Sequence, residues 1–102
     1  MRAELLKGHL DLLLLSVLAG SPLHGYAVIE KLRGQGGFDL PEGTVYPALH
    51  RLEHARLVES RWSAESGRRR RVYSLTRSGR RELAFRRDEW RTFVGAVEAV
   101  VA

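Results

Sequence analysis

The chain contains no cysteine among its 102 residues. That excludes a disulfide framework, a thiol nucleophile and any cysteine-based zinc site. Long apolar runs are also missing. The longest, Leu12–Leu15, falls far short of the roughly 20 residues that span a bilayer, and no basic-plus-apolar leader opens the chain. A soluble, cytoplasmic protein with no membrane partner is therefore expected. Catalytic signatures are scarce as well. There is no glycine-rich phosphate loop after a strand, no zinc-ligand spacing and no nucleophile triad. Gly34-Gln35-Gly36-Gly37 follows a helical pattern, so it reads as a helix end and not a nucleotide loop. His50 and His54 are four apart but lack the rest of a ligand set. No enzyme, cofactor or metal site is expected.

What the chain does have is hydrophobic content, 44%, enough for one modest core in a single domain. It also has positive charge, a net +5 with a pI near 10.4. That charge is concentrated. Residues 57–81 hold eight arginines against two glutamates, while the rest of the chain has a net charge of −1. A basic excess confined to one segment is the footprint of a polyanion-binding surface. Of the 17 cations, 15 are arginine; that preference carries no mechanism by itself.

The apolar spacing predicts the elements. Leu10, Leu13, Leu14, Val17 and Leu18 recur at helical intervals in a helix over 5–19, and Leu12 and Leu15 add a second apolar face. A helix apolar nearly all round is covered on more than one side, here by a partner subunit. Gly20-Ser21-Pro22 ends it, with Pro22 suited to the first turn of the next helix. That second helix carries Tyr26, Val28, Ile29 and Leu32 and ends at Gly34–Gly37. A third, over 42–55, has Val45, Leu49 and Leu52 as its stripe, and Pro47 places its start close to Gly43 or Thr44, or bends it there. Leu57–Trp62 and Arg69–Leu75 read as a hairpin with arginines clustered near its tip. Thr76-Arg77-Ser78-Gly79 offers an N-cap for a last helix reaching Val101. In it Leu83, Trp90, Val94, Val97 and Val101 form a seam, interrupted at Arg87. The fold class is mostly α with a small β-hairpin. Three helices followed by a basic hairpin is the winged helix-turn-helix pattern, here over residues 1–76, with 77–102 as a separate C-terminal helix.

Three stretches carry a resemblance. They are Leu23-His24-Gly25-Tyr26, then Glu42-Gly43-Thr44-Val45-Tyr46-Pro47-Ala48-Leu49-His50-Arg51-Leu52-Glu53, and finally Gly67-Arg68-Arg69-Arg70-Arg71-Val72-Tyr73-Ser74-Leu75-Thr76 with Gly79. In these the chain resembles the PadR-like transcriptional regulators, in their short-tailed branch. The resemblance implies a homodimeric DNA-binding repressor. Its third helix would enter the major groove of a pseudo-palindromic operator, its wing would touch backbone or minor groove, and its first and last helices would make the dimer. Some relatives bind flat aromatic compounds between the subunits and release DNA in response.

On that reading the DNA-binding residues are Thr44, Tyr46, Pro47, His50 and Arg51 on the third helix and Arg68, Arg69 and Arg70 on the wing. Tyr46 and His50 share one face, bordered by Arg51. Arginines at 68–71 alternate sides of a strand, so Arg68 and Arg70 point to DNA while the others flank the duplex or pair with acids. Gly25 allows close packing, and Tyr26 packs with its hydroxyl tied down. Leu5, Leu12, Leu83, Trp90, Phe93, Val94 and Val97 form the dimer or ligand interface, with Trp90 filling the dimer interface or, as in some relatives, stacking on a planar aromatic effector. The rival reading is a winged-helix protein-interaction module with only non-specific nucleic-acid binding. Double-stranded RNA is disfavoured because A-form geometry closes the major groove.

Overall fold

A computed structural model describes residue 6 and residues 8–102, with the side chain of Ser66 set aside. Leu5 lies outside the described residues. The elements are α1 (Leu10–Gly20), β1 (Leu23–His24), α2 (Gly25–Gly36), α3 (Glu42–His54), β2 (Val58–Ser63), β3 (Arg70–Leu75) and α4 (Arg77–Val101). A short 3₁₀ turn, Glu65–Gly67, lies in the β2–β3 connection.

The first helix is shorter than its apolar pattern suggests. Gly8 sits at φ +85°, a left-handed conformation that breaks a helical path, and α1 starts only at Leu10. Its end follows the expected logic: Ser21, ahead of Pro22, is extended at φ −173°, ψ 159°. Pro22 does not open α2, however. Leu23 and His24 first pair with Tyr73 and Val72 as a third strand, and the sheet has the antiparallel order β1-β3-β2. The wing is thereby tied to the start of α2, a long-range pairing that local spacing does not announce.

His24 caps α2, its Nδ1 accepting from the Ala27 N–H at 3.2 Å. At the other end Gly37 adopts φ +71°, with Gly37 N–H donating to Arg33 O and Phe38 N–H to Leu32 O, which satisfies the last carbonyls. The third helix begins at Glu42, earlier than Pro47 suggests. Pro47 therefore lies beyond the first turn, and the Gly43 carbonyl loses its usual donor. Gly43 is exposed, so water can take that donor's place.

Leu14, Leu15 and Leu18 of α1, Val28 and Leu32 of α2, Val45, Leu49 and Leu52 of α3, and Val58 and Tyr73 of the sheet form the core. Leu15 thus belongs to this core and not to a second, partner-facing side. Leu83 belongs to it too, at 3% exposure. The first seam residue of α4 is used within the subunit and is removed from the interface set.

Two backbone contacts fix α4. The Thr76 hydroxyl donates to Arg56 O at 2.7 Å and accepts from the Gly79 N–H at 3.0 Å. Gly79 is pressed so closely on Leu57 that a Cβ there would lie 2.0 Å from the Leu57 carbonyl oxygen. The first turns of α4 pack on α1 and β3; its later turns project, and the molecule measures 53 × 28 × 20 Å. Among the described residues no helix is long and apolar enough to cross a membrane.

Candidate nucleic-acid interface

The exposed side of α3 is formed by Gly43, Thr44, Pro47, His50, Arg51 and His54, while Val45, Ala48, Leu49 and Leu52 face inward. Tyr46 lies at the boundary, half-buried, its ring against Gly25. A Cβ on Gly25 would stand 2.4 Å from that ring, so only glycine admits the contact. Burial, and then the nearby Glu42 charge, push the Tyr46 phenol above its ordinary pKa. It is therefore a hydroxyl at neutral pH and can donate.

The wing arginines divide between Trp62 and a cleft, with Arg71 reaching both. Arg69 and Arg71 stack on Trp62, with guanidinium carbons 4.4 and 5.3 Å from its ring centroid. Arg71 also donates to Ser60 Oγ at 2.8 Å and sits 3.7 Å from Glu53, to which Ser60 donates in turn. That chain couples the wing to α3. Arg68 and Arg70 turn the other way. With Arg71 they line an open cleft completed by His24, Gly25, Tyr26 and Tyr46. Arg70 Nη1 lies 2.9 Å from His24 Nε2. The cleft carries three arginines and no carboxylate, an arrangement suited to phosphate.

Arg51 behaves differently from its neighbours on α3. It makes a two-pronged contact with Asp11 of α1, at 2.9 and 2.6 Å. The Arg51 guanidinium holds the Asp11 carboxyl below the usual carboxylate range, and the weaker effect of burial opposes it. Arg86 of α4 approaches the same carboxylate at 3.8 Å. In this structure Arg51 thus ties α1 to α3, with a bidentate carboxylate partner in its planar fork.

A second face lies on α4. Trp90, Phe93 and Val97 are 42%, 56% and 39% exposed, and Val94 is half-buried. Trp90 meets His9 edge-on at 5.1 Å and Phe93 at 6.2 Å. A shallow cleft there is lined by Gly8, His9, Leu12, Arg86, Glu89, Trp90 and Phe93. Three of the predicted interface residues, Leu12, Trp90 and Phe93, thus line one cleft where α1 meets α4. Among the described residues no group of three or more His, Cys, Asp or Glu side chains could hold a metal ion.

Residues 14–85 match the Transcriptional regulator PadR-like family. The chain belongs to that family. PadR-like proteins are DNA-binding transcriptional regulators, not enzymes, and so is this one. A transcriptional regulator of Mycobacterium tuberculosis is 40% identical over 65 residues, 64% of this chain and 60% of that protein. The crystal structure of a PadR family transcription regulator from Clostridium difficile superimposes with a TM-score of 0.86 at 34% identity, covering 93% of this chain and 100% of that one. A PadR-like regulator from Bacillus cereus gives a TM-score of 0.89 at 28% identity, covering 97% of each. The winged helix-turn-helix fold is common to them.

Within this PadR-like fold the structure adds cleft residues that sequence reasoning missed. Tyr26 is 49% exposed, not packed away, and lines the arginine cleft. Its position at the start of α2 beside the wing depends on β1 pairing with β3, which no local pattern encodes. His24 was legible only as part of a family motif; histidine is not among the favoured N-cap residues. On the α4 face His9, Arg86 and Glu89 were missed because they are polar and lie off the apolar stripe.

Proposed function

We propose that this PadR-like regulator is a homodimeric repressor of a pseudo-palindromic operator. The observation that carries the reading is the cleft itself: the wing arginines Arg68 and Arg70 converge with Tyr26 and Tyr46 beside the exposed side of α3. Residues 1–76 form the DNA-binding unit. Thr44, Pro47 and His50 approach base edges and phosphates from α3, Tyr46 donates from its rim, and the wing supplies sequence-independent affinity through counterion release. Arg69 flanks the duplex from the Trp62 side. Residues 77–102 are the dimerisation helix, which buries Trp90, Phe93, Val94 and Val97 with Leu12 against a second copy. Two α3 helices related by a two-fold read half-sites about one helical turn, roughly 34–36 Å, apart. Bound at a promoter, such a dimer represses by occlusion.

The aromatic cleft beside Trp90 takes a planar effector. The effector induces only if it binds the DNA-competent and released arrangements with different affinity. The test is fluorescence anisotropy with duplex DNA from upstream of the protein's own gene against a scrambled duplex, over a salt series. The expected result is a preference of about 10³-fold or more near physiological salt, with a shallower salt slope when Arg68 and Arg70 are replaced by alanine. Equal binding of both duplexes, lost at moderate salt, overturns the operator reading. Light scattering must give about twice 11.5 kDa.

A further inference from the structure

Trp62 stands on β2, an edge strand of the sheet, 52% exposed and outside the core. In the β2–β3 register it lies directly opposite Arg71, as Ser60 does Tyr73 and Val58 does Leu75. Side chains two apart on a strand share a face. Trp62 and Arg71 therefore continue the face whose inner part, Val58, Tyr73 and Leu75, is buried in the core. Beyond the core that face carries the indole ring. The guanidinium carbons of Arg69 and Arg71 lie 4.4 and 5.3 Å from its centroid.

The two cations are held differently. Arg71 is fixed at three points: the ring, the Ser60 hydroxyl, to which its Nε donates at 2.8 Å, and the Glu53 carboxylate of α3 at 3.7 Å. It also lines the cleft with Arg68 and Arg70. Arg69 is exposed and rests on the ring. Two like charges drawn onto one ring repel each other, and the single Glu53 carboxylate offsets only one of them. A phosphate chain alongside would relieve the other.

Stacking also settles an entropy cost in advance. A free arginine carries large rotamer entropy, which it loses when it clamps a phosphate. A guanidinium over an aromatic ring has already lost much of it. The ring covers a face of the guanidinium plane and leaves the in-plane N–H donors open.

We propose that Trp62 is a positioning residue for DNA binding: its ring holds Arg69 and Arg71 in place for the duplex backbone before the duplex arrives. The inference rests on the DNA-binding reading of the wing and adds to it a residue with no charge of its own. Glu53 and Ser60 anchor the same assembly to α3, so the paired guanidiniums keep a fixed place relative to the recognition helix.

The test is duplex binding by fluorescence anisotropy with the full chain. The variants are Trp62→Leu, Trp62→Phe, the Arg69→Ala, Arg71→Ala pair, and the triple variant that adds Trp62→Leu to that pair. Neither Trp62 substitution changes the net charge or removes a core side chain, and thermal melts verify folding. Trp62→Leu should weaken binding about tenfold, the order expected when two arginines must be immobilised on binding. Trp62→Phe keeps an aromatic face and should recover most of that loss. In the Arg69→Ala, Arg71→Ala background, Trp62→Leu should cost less than about twofold, because the ring acts only through the two guanidiniums.

A folded Trp62→Leu protein that binds as tightly as wild type overturns the proposal. So does a Trp62→Phe protein no better than Trp62→Leu. A Trp62→Leu loss that persists in full without the two arginines overturns it as well, and places the ring itself against DNA. The contacts are sequence-independent, so every variant is read on the scrambled duplex. Equal affinity of the wild type for scrambled and upstream DNA overturns the operator reading alone; the pattern among the Trp62 variants decides the positioning role.

Discussion

Replacing Gly79 with alanine should destabilise the protein even though alanine is the better helix former by about 1 kcal/mol. Gly79 is the third residue of α4, buried, with its N–H capped by Thr76. A Cβ there would stand 2.0 Å from the Leu57 carbonyl oxygen, whereas ordinary contact begins at 3.4 Å, so α4 and the base of the wing must part by roughly 1.4 Å. The obstacle is backbone, which cannot swing aside. Overpacking of this kind costs about 1–3 kcal/mol. The separation also strains the Thr76 N–H to Leu57 O and Thr76 hydroxyl to Arg56 O bonds, each worth about 1 kcal/mol. A loss of about 2–4 kcal/mol follows, or a melting temperature lower by roughly 10–20 °C for a domain of this size. The assay is thermal and urea unfolding at one fixed protein concentration, because the proposed dimerisation would couple to stability. Gly34→Ala is the control. Gly34 is exposed on α2, and a Cβ added there would meet nothing within 4 Å, so this variant should gain about 0.5–1 kcal/mol. If Gly79→Ala also gains stability, the close approach of α4 to Leu57 is wrong.

Two further predictions concern the ties around α1 and α4. Asp11→Asn should cost about 1 kcal/mol near neutral pH, a modest figure because the Arg51 side chain is 58% exposed. The Asp11 pKa is lowered in the fold from its ordinary 3.8. Its contribution is therefore present above that value and fades as pH falls through the lower folded pKa. Urea unfolding of the two proteins should begin to converge below about pH 4 and coincide only once the pH is under the lowered folded pKa, and a gap that persists in strong acid refutes the ion-pair account. Trp90→Ala should raise the dimer dissociation constant at least about tenfold by sedimentation or light scattering, as loss of a buried aromatic anchor does. Phe85→Ala should leave it unchanged, since Phe85 sits roughly 140° around α4 from Trp90. Equal effects of the two substitutions would refute the assignment of the stripe as the interface.

Much of this architecture was legible in the chain because it rests on local rules. Three helices, a basic hairpin and a last helix capped by Thr76 follow from apolar periodicity, glycine and proline positions and one hydroxyl. Strand alternation anticipated only part of the wing's arrangement: Arg69 and Arg71 stack on Trp62, yet Arg71 also joins Arg68 and Arg70 in lining the cleft. Local rules misled where a long-range contact or a backbone dihedral decided. Gly8 at positive φ delays α1, and Pro22 precedes a strand because β3 offers pairing partners to Leu23 and His24. Leu83 matches a heptad seam by spacing, yet the nearest apolar surface is its own core. Arg51 borders the recognition face by helical angle, yet Asp11, forty residues away in sequence, holds its guanidinium.

Sequence alone determined the class of partner and the family. A net positive charge confined to residues 57–81 survives any folding, and the Gly43-Thr44-Val45-Tyr46-Pro47 motif lies within the matched region. Tertiary structure decided which side chains are free to act. Hydrogen-bond partners and burial are properties of pairs of elements, and a pair such as His24 with Arg70, or Gly79 with Leu57, exists only once the chain has closed on itself. Composition specifies a basic surface; the sheet that joins β1 to β3 decides which of its side chains meet in the cleft.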